Sequence, residues 1–90
     1  PDVGVYRSHL GVALSKAGNC KDAVPELREA IRLSAGYAET YLQLGICLSR
    51  QGRTEEAREA WNKAVAIDSQ GFWAEAARHE LLKLSREKRE

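Results

Sequence analysis

Leu10-Gly11-Val12-Ala13-Leu14-Ser15-Lys16-Ala17-Gly18 and Leu44-Gly45-Ile46-Cys47-Leu48-Ser49-Arg50-Gln51-Gly52 are two versions of one pattern, set 34 residues apart. Leu, Gly, Leu, Ser and Gly recur at the same offsets. Beyond these stretches Ala23 aligns with Ala57 and Ala30 with Ala64. That makes seven identities in 34 pairs, against about two expected from average residue usage. Conservative pairs add to them: Val12 with Ile46, Lys16 with Arg50, Ile31 with Val65, and Leu27 opposite the larger Trp61. A fixed period of this length marks an internal repeat.

Each copy reads as two helices. Arg7, Leu10, Gly11 and Leu14, like Tyr41, Leu44, Gly45 and Leu48, fall at i, i+3, i+4 and i+7, one stripe of a 3.6-residue period. A glycine in such a stripe lets a partner helix approach closely, which offsets its helix penalty of about 1 kcal/mol. Gly18 and Gly52 then stand where a left-handed residue ends a helix. Asn19 or Cys20 in the first copy and Thr54 in the second are the expected N-caps of the following helix, with Asp22 or Glu55 and Glu56 in its first turn. That second helix carries small residues, Ala23 and Ala30 or Ala57 and Ala64, beside Leu27 or Trp61. Pro25 lies beyond its first turn, and a kink or a later start is expected there. A fifth helix from Phe72 to about Arg86 has Leu81 and Leu82 to pack on the second copy. Its Arg78-His79 replaces the Leu-Gly pair, as suits a terminal helix with no following partner. The closing Arg86-Glu87-Lys88-Arg89-Glu90 reads as a solvated helix end.

Ninety residues and 10.0 kDa, 43% apolar and 30% charged, suit one folded domain. Fourteen basic residues against thirteen acidic ones leave +1, so no net field favours nucleic acid or an anionic membrane. No apolar run approaches the roughly 18 residues of a membrane span. The chain starts without Met, which suggests a piece of a longer protein, and the compartment stays open with the cytoplasm favoured. Cys20 and Cys47, 27 residues apart, form no metal-ligand spacing. Two structural thiols in a reducing compartment is the expected reading, a disulfide or redox pair the alternative.

A 34-residue helix–turn–helix with Leu-Gly early, Leu three residues later and two alanines in its second helix resembles the tetratricopeptide repeat family. Tyr41, Leu44, Gly45, Leu48, Ala57, Trp61 and Ala64 carry the resemblance, with a weaker first copy from Arg7 to Ala30. Departures are Arg7 in place of a large aromatic, and Ala35 and Ser69 where the family often has Pro. The resemblance implies an all-α, right-handed superhelical array of antiparallel helix pairs with five helices. It would form a single domain over residues 1–90: repeat one about 4–37, repeat two about 38–71 and a capping helix about 72–86. It also implies a protein–protein interaction module, not an enzyme, with no cofactor and no metal.

On a helical wheel, Val5, His9, Val12 and Lys16 share the face opposite the Leu-Gly stripe. Glu39, Gln43, Ile46 and Arg50, with Leu42 beside them, form the equivalent face of the second copy. Trp73, Ala77, Glu80 and Leu84 form that of the last helix. In proteins similar to this family such faces line a concave groove. Here the wall would be apolar, with Trp73 as an anchor and Lys16 and Arg50 stacked as a basic rim. The expected occupant is an apolar or amphipathic, partly acidic segment of a partner protein. The alternatives are that these residues only pack between helices, or that a second copy of the chain or the parent chain covers the wall. Family members that clamp a chaperone's C-terminal carboxylate use Lys, Asn and Arg on these faces. Ser8, Val12, Gln43, Trp73 and Ala77 stand at the matching positions, which argues against such a tail. His9 and His79 lie on different helices with no nucleophile nearby, and no phosphate or metal motif is present.

Overall fold

A computed structural model describes residues 2–88, with side chains through Glu87. Five helices follow one another: α1 Val3–Lys16, α2 Cys20–Arg32, α3 Ala38–Arg50, α4 Thr54–Ile67 and α5 Phe72–Lys88. The α1–α2 and α3–α4 pairs are the two sequence copies, and α5 packs on the second. No strand occurs among the described residues. Arg89 and Glu90, the end of the expected charged run, lie outside them.

The helix ends follow from local hydrogen bonding. Gly18 and Gly52 have φ of 86° and 78°, the left-handed stop expected from their place in the repeat. At each stop the residue after the glycine donates back to the leucine five positions earlier, Asn19 N to Leu14 O and Arg53 N to Leu48 O, both at 2.9 Å. This closure settles the next helix start in both copies. Asn19 caps α2, its Oδ1 accepting from Asp22 N at 3.3 Å. Arg53, its equivalent, takes the N-cap position of α4. Thr54 is therefore the first helical residue and not the expected cap. α2 starts at Cys20, with no later start at Pro25. The proline ring is exposed, and the one bond it removes would have gone to Lys21 O near the helix start. α2 ends on the same closure with a non-glycine: Ser34 has φ 65°, and Ala35 N donates to Ala30 O at 2.8 Å.

The two helices of each pair meet glycine against bulk. A Cβ at Gly11 would lie 2.7 Å from Leu27 Cδ2, and one at Gly45 2.6 Å from Trp61 Cδ1. Those distances are below any van der Waals contact, so the missing side chain is what lets α2 and α4 lie where they do. Leu27, Cys47, Leu48 and Trp61 are almost wholly buried, and Ala23, Ala57 and Ala64 fill the close approaches between them. The Trp61 indole N–H is satisfied by Leu42 O at 3.2 Å. Arg7, the departure from an aromatic, bonds Glu26 of α2 at 2.8 Å, and that carboxylate raises its guanidinium pKa. On α5, Leu81 packs on the core as expected, but Leu82 is 59% exposed and faces outward. Arg78 stays at the junction, its Nη2 donating to Ser69 O at 2.6 Å, while His79 is exposed.

The cysteines correct the expectation of free thiols. Cys20 and Cys47 are joined in a disulfide, their Cα atoms 5.2 Å apart, within the range a disulfide spans. Packing of the two pairs brings the first residue of α2 against the last turn of α3. The covalent link therefore crosses between repeats.

Candidate functional site

α1, α3 and α5 stand side by side, and the faces predicted for binding lie along their contacts. Between α1 and α3 runs a seam of small polar groups. The Ser8 and Thr40 hydroxyls are 2.6 Å apart, and Ser15 Oγ donates to Gln43 Oε1 at 2.8 Å. All four side chains are buried. Ser15 Oγ also lies 3.4 Å from Cys47 Sγ, so the α3 side of the seam is the i, i+3, i+7 set Thr40, Gln43 and Cys47. Gln43 thus shares the seam face of α3 with Thr40 and Cys47.

Four residues predicted to line the groove are therefore interior. Leu42 is 3% exposed, Gln43 7%, Ala77 0% and Leu84 6%. Leu42 and Ala77 fill the core, Gln43 saturates Ser15, and only one edge of Leu84 reaches a cleft. Val5, Val12, Ile46 and Trp73 are half-buried, and His9, Lys16 and Arg50 are exposed. An unbroken apolar wall is thus replaced by separate half-buried patches.

The basic rim is divided as well. Lys16 Nζ lies 3.2 Å from Glu39 Oε2 and 5.9 Å from the centre of a Trp73 ring. It crosses from α1 to the first turns of α3 and α5, with its charge engaged by a carboxylate and an aromatic face. Arg50 lies elsewhere, at the C-terminal end of α3. There a cleft of about 310 Å³ opens between α3 and α5, bounded by Ile46, Ser49, Arg50, Trp61, Glu80, Lys83, Leu84 and Glu87. Ile46, Leu84 and an edge of Trp61 are its apolar surfaces. Lys83 pairs with Glu80 at 3.3 Å, while Arg50 has no ion pair among the described residues. Lys83, Glu87 and Trp61 were not among the predicted site residues. Lys83 and Glu87 continue the α5 face of Glu80 and Leu84 beyond the predicted set, while Trp61 reaches the cleft from α4, outside that helix's wheel.

The outer surface is charged in a regular way. Arg28 of α2 meets Glu56 of α4 at 2.8 Å, and Arg53 holds the same carboxylate. These two hydrogen bonds depress the Glu56 pKa, as Arg32 does that of Glu29. Among the described residues no group of three or more His, Cys, Asp or Glu side chains is placed to hold a metal ion. No helix among them is long and apolar enough to cross a membrane.

Comparison with known proteins agrees with this architecture. The family described as tetratricopeptide repeat matches residues 10–70. The chain is 32% identical over 68 residues to the small glutamine-rich tetratricopeptide repeat-containing protein 2 of Mycosarcoma maydis. That alignment covers 76% of the chain and 19% of the longer relative. No solved structure matches significantly. Two 34-residue helix pairs, each closed by glycine against a buried large residue, and a match across both copies place the chain in the tetratricopeptide repeat family of protein–protein interaction modules.

Proposed function

We propose that the chain receives a segment of a partner protein in the cleft between α3 and α5. The observation that carries this reading is the pairing of apolar surface, Ile46 and Leu84, with an Arg50 guanidinium that makes no ion pair among the described residues. At about 310 Å³ the cleft suits one or two partner side chains, at the lower end of ligand-site volumes. The fitting segment places an apolar side chain against Ile46 and a carboxylate on Arg50. Glu87 on the opposite wall favours a basic residue further along. Val5, His9, Val12, Lys16 and Trp73 would extend the contact toward the N-terminal ends of the helices, with Lys16 held back by Glu39.

Selection of binders from a random peptide library, followed by titration against variants, tests the reading. Arg50→Glu should weaken acidic binders at least tenfold, about 1.4 kcal/mol, without disturbing the fold, since Arg50 is exposed. If every binder keeps its affinity for both Arg50→Glu and Ile46→Asp, the cleft is not the site.

Self-association is the second reading, favoured by Phe72 and Leu82 of α5, which are 74% and 59% exposed. Sedimentation over a concentration range separates the two. A dimer that dissociates on Leu82→Glu but not on Arg50→Glu belongs to this second reading.

A further inference from the structure

We propose that the Cys20–Cys47 disulfide is a redox-controlled clamp that holds the first helix pair on the second, and that a thiol reductant releases it only when their junction opens. Apart from this bond, the junction joins an apolar α2–α3 face, where Ala23, Val24 and Leu27 share one buried cluster with Leu44 and Leu48, to a polar α1–α3 seam. The α1–α3 seam is made by hydroxyl and amide hydrogen bonds, Ser8 with Thr40 and Ser15 with Gln43. Ion pairs Lys16–Glu39 and, on the outer surface, Arg28–Glu56 also bridge the two helix pairs. Such contacts exchange readily for water and contribute little net stability each. The junction of α5 with the second pair differs: it buries Ala74, Ala77 and Leu84 and has no covalent link. The disulfide therefore ties α2 to α3 beside a seam held by polar contacts.

Its surroundings set how it opens. Cys47 is 0% and Cys20 9% exposed, so little of either cysteine is open to an attacking thiolate while the pairs are docked. Once they separate, a dithiol thiolate bonds to Cys20 Sγ and the Cys20–Cys47 bond breaks. Cys47 leaves with the electron pair and takes up a proton. The second thiol of the reductant then displaces Cys20, which is protonated in turn, and the reductant ends as its own disulfide. Two electrons and two protons are transferred in all. Formation is the reverse, with a small-molecule disulfide as oxidant, and it suits an oxidising compartment. Lys16 reaches Trp73 from the first pair, so release also removes that cation from the α5 aromatic ring.

Thiol alkylation and amide hydrogen exchange, both read by mass spectrometry on the whole chain, test the clamp. After treatment with oxidised glutathione, both sulfurs should resist alkylation. Dithiothreitol should reduce them at least tenfold more slowly in buffer than in unfolding urea. Reduction should then lower exchange protection at least tenfold in α1 and α2 while α3 and α4 keep theirs. Free thiols after oxidation, equal reduction rates in buffer and urea, or unchanged protection in α1 and α2 would each overturn the proposal. So would equal loss in all five helices, which would make the bond a global staple.

Discussion

Gly45→Ala adds one methyl group, and the structure fixes where that methyl must go. It would lie 2.6 Å from Trp61 Cδ1 and 2.8 Å from Cε2, where carbon atoms need about 3.5 Å or more. Trp61 is 2% exposed and is held by the hydrogen bond from its indole N–H to Leu42 O, so it cannot swing into solvent. Three terms decide the outcome. Alanine gains about 1 kcal/mol of helix propensity over glycine. Overpacking costs about 1–3 kcal/mol, and losing the indole hydrogen bond about 1 kcal/mol more. The net expectation is a destabilisation of about 2 kcal/mol, or a fall in Tm of roughly 8–16 °C for a domain of this size. Urea unfolding followed by circular dichroism measures it. Trp61→Leu should be destabilising alone, yet the Gly45→Ala/Trp61→Leu double variant should lose less than the sum of the two, because the smaller side chain admits the methyl. A Gly45→Ala variant as stable as the parent, or strict additivity in the double variant, would refute close approach as the reason for glycine.

Ser34→Gly should stabilise by about 0.5–1 kcal/mol, since the backbone already holds φ 65° and glycine carries no Cβ penalty there; a shift of the urea midpoint at unchanged slope checks it. Cys20→Ser/Cys47→Ser, read in the same assay without reductant, should cost about 3.6 kcal/mol from loop entropy, given the 27-residue separation. Glu56 and Glu29 are held below the usual 4.5 by hydrogen bonds from arginines. Their contribution to stability is therefore complete above that pH and is lost as pH falls through their lower folded-state values. The urea midpoint should drop on acidification below 4.5, and Glu56→Gln should make that drop shallower.

The fold was legible because repeat packing constrains residue type at fixed offsets. Gly11 and Gly45 face Leu27 and Trp61, and a contact of that kind leaves the same mark in each copy. Gly18 and Gly52 were legible for a different reason, the left-handed backbone that closes both helices. What escaped the sequence has no counterpart in the other copy. Cys20 corresponds to Thr54 and Cys47 to Ala13, so no alignment of the copies pairs the two sulfurs. They meet only because α2 docks its first turn on α3. The start of α4 is a smaller instance. Thr54 has the better capping chemistry, but the hydrogen bond from Arg53 N to Leu48 O sets the register first.

The candidate site was only partly legible, because a helical wheel describes one helix alone and the groove is made by three packed together. The wheel placed Gln43, Ile46 and Arg50 on one face. Contact with Ser15 of α1 covers Gln43, while Arg50, two turns further along, stays uncovered. Charge was redistributed for the same reason. Lys16 and Arg50 are equivalent in sequence, but Lys16 has the next helix pair beside it and finds Glu39 and Trp73 there. Arg50 has α5 beside it, where Glu80 is already engaged with Lys83. Equivalent positions in a short array thus acquire different electrostatic roles from the neighbour each one meets. At the end of α3 the Arg50 guanidinium makes no ion pair among the described residues, with Glu87 of α5 on the opposite wall of the cleft. The cleft at that end therefore sets the apolar side chains of Ile46 and Leu84 beside a guanidinium and two carboxylates.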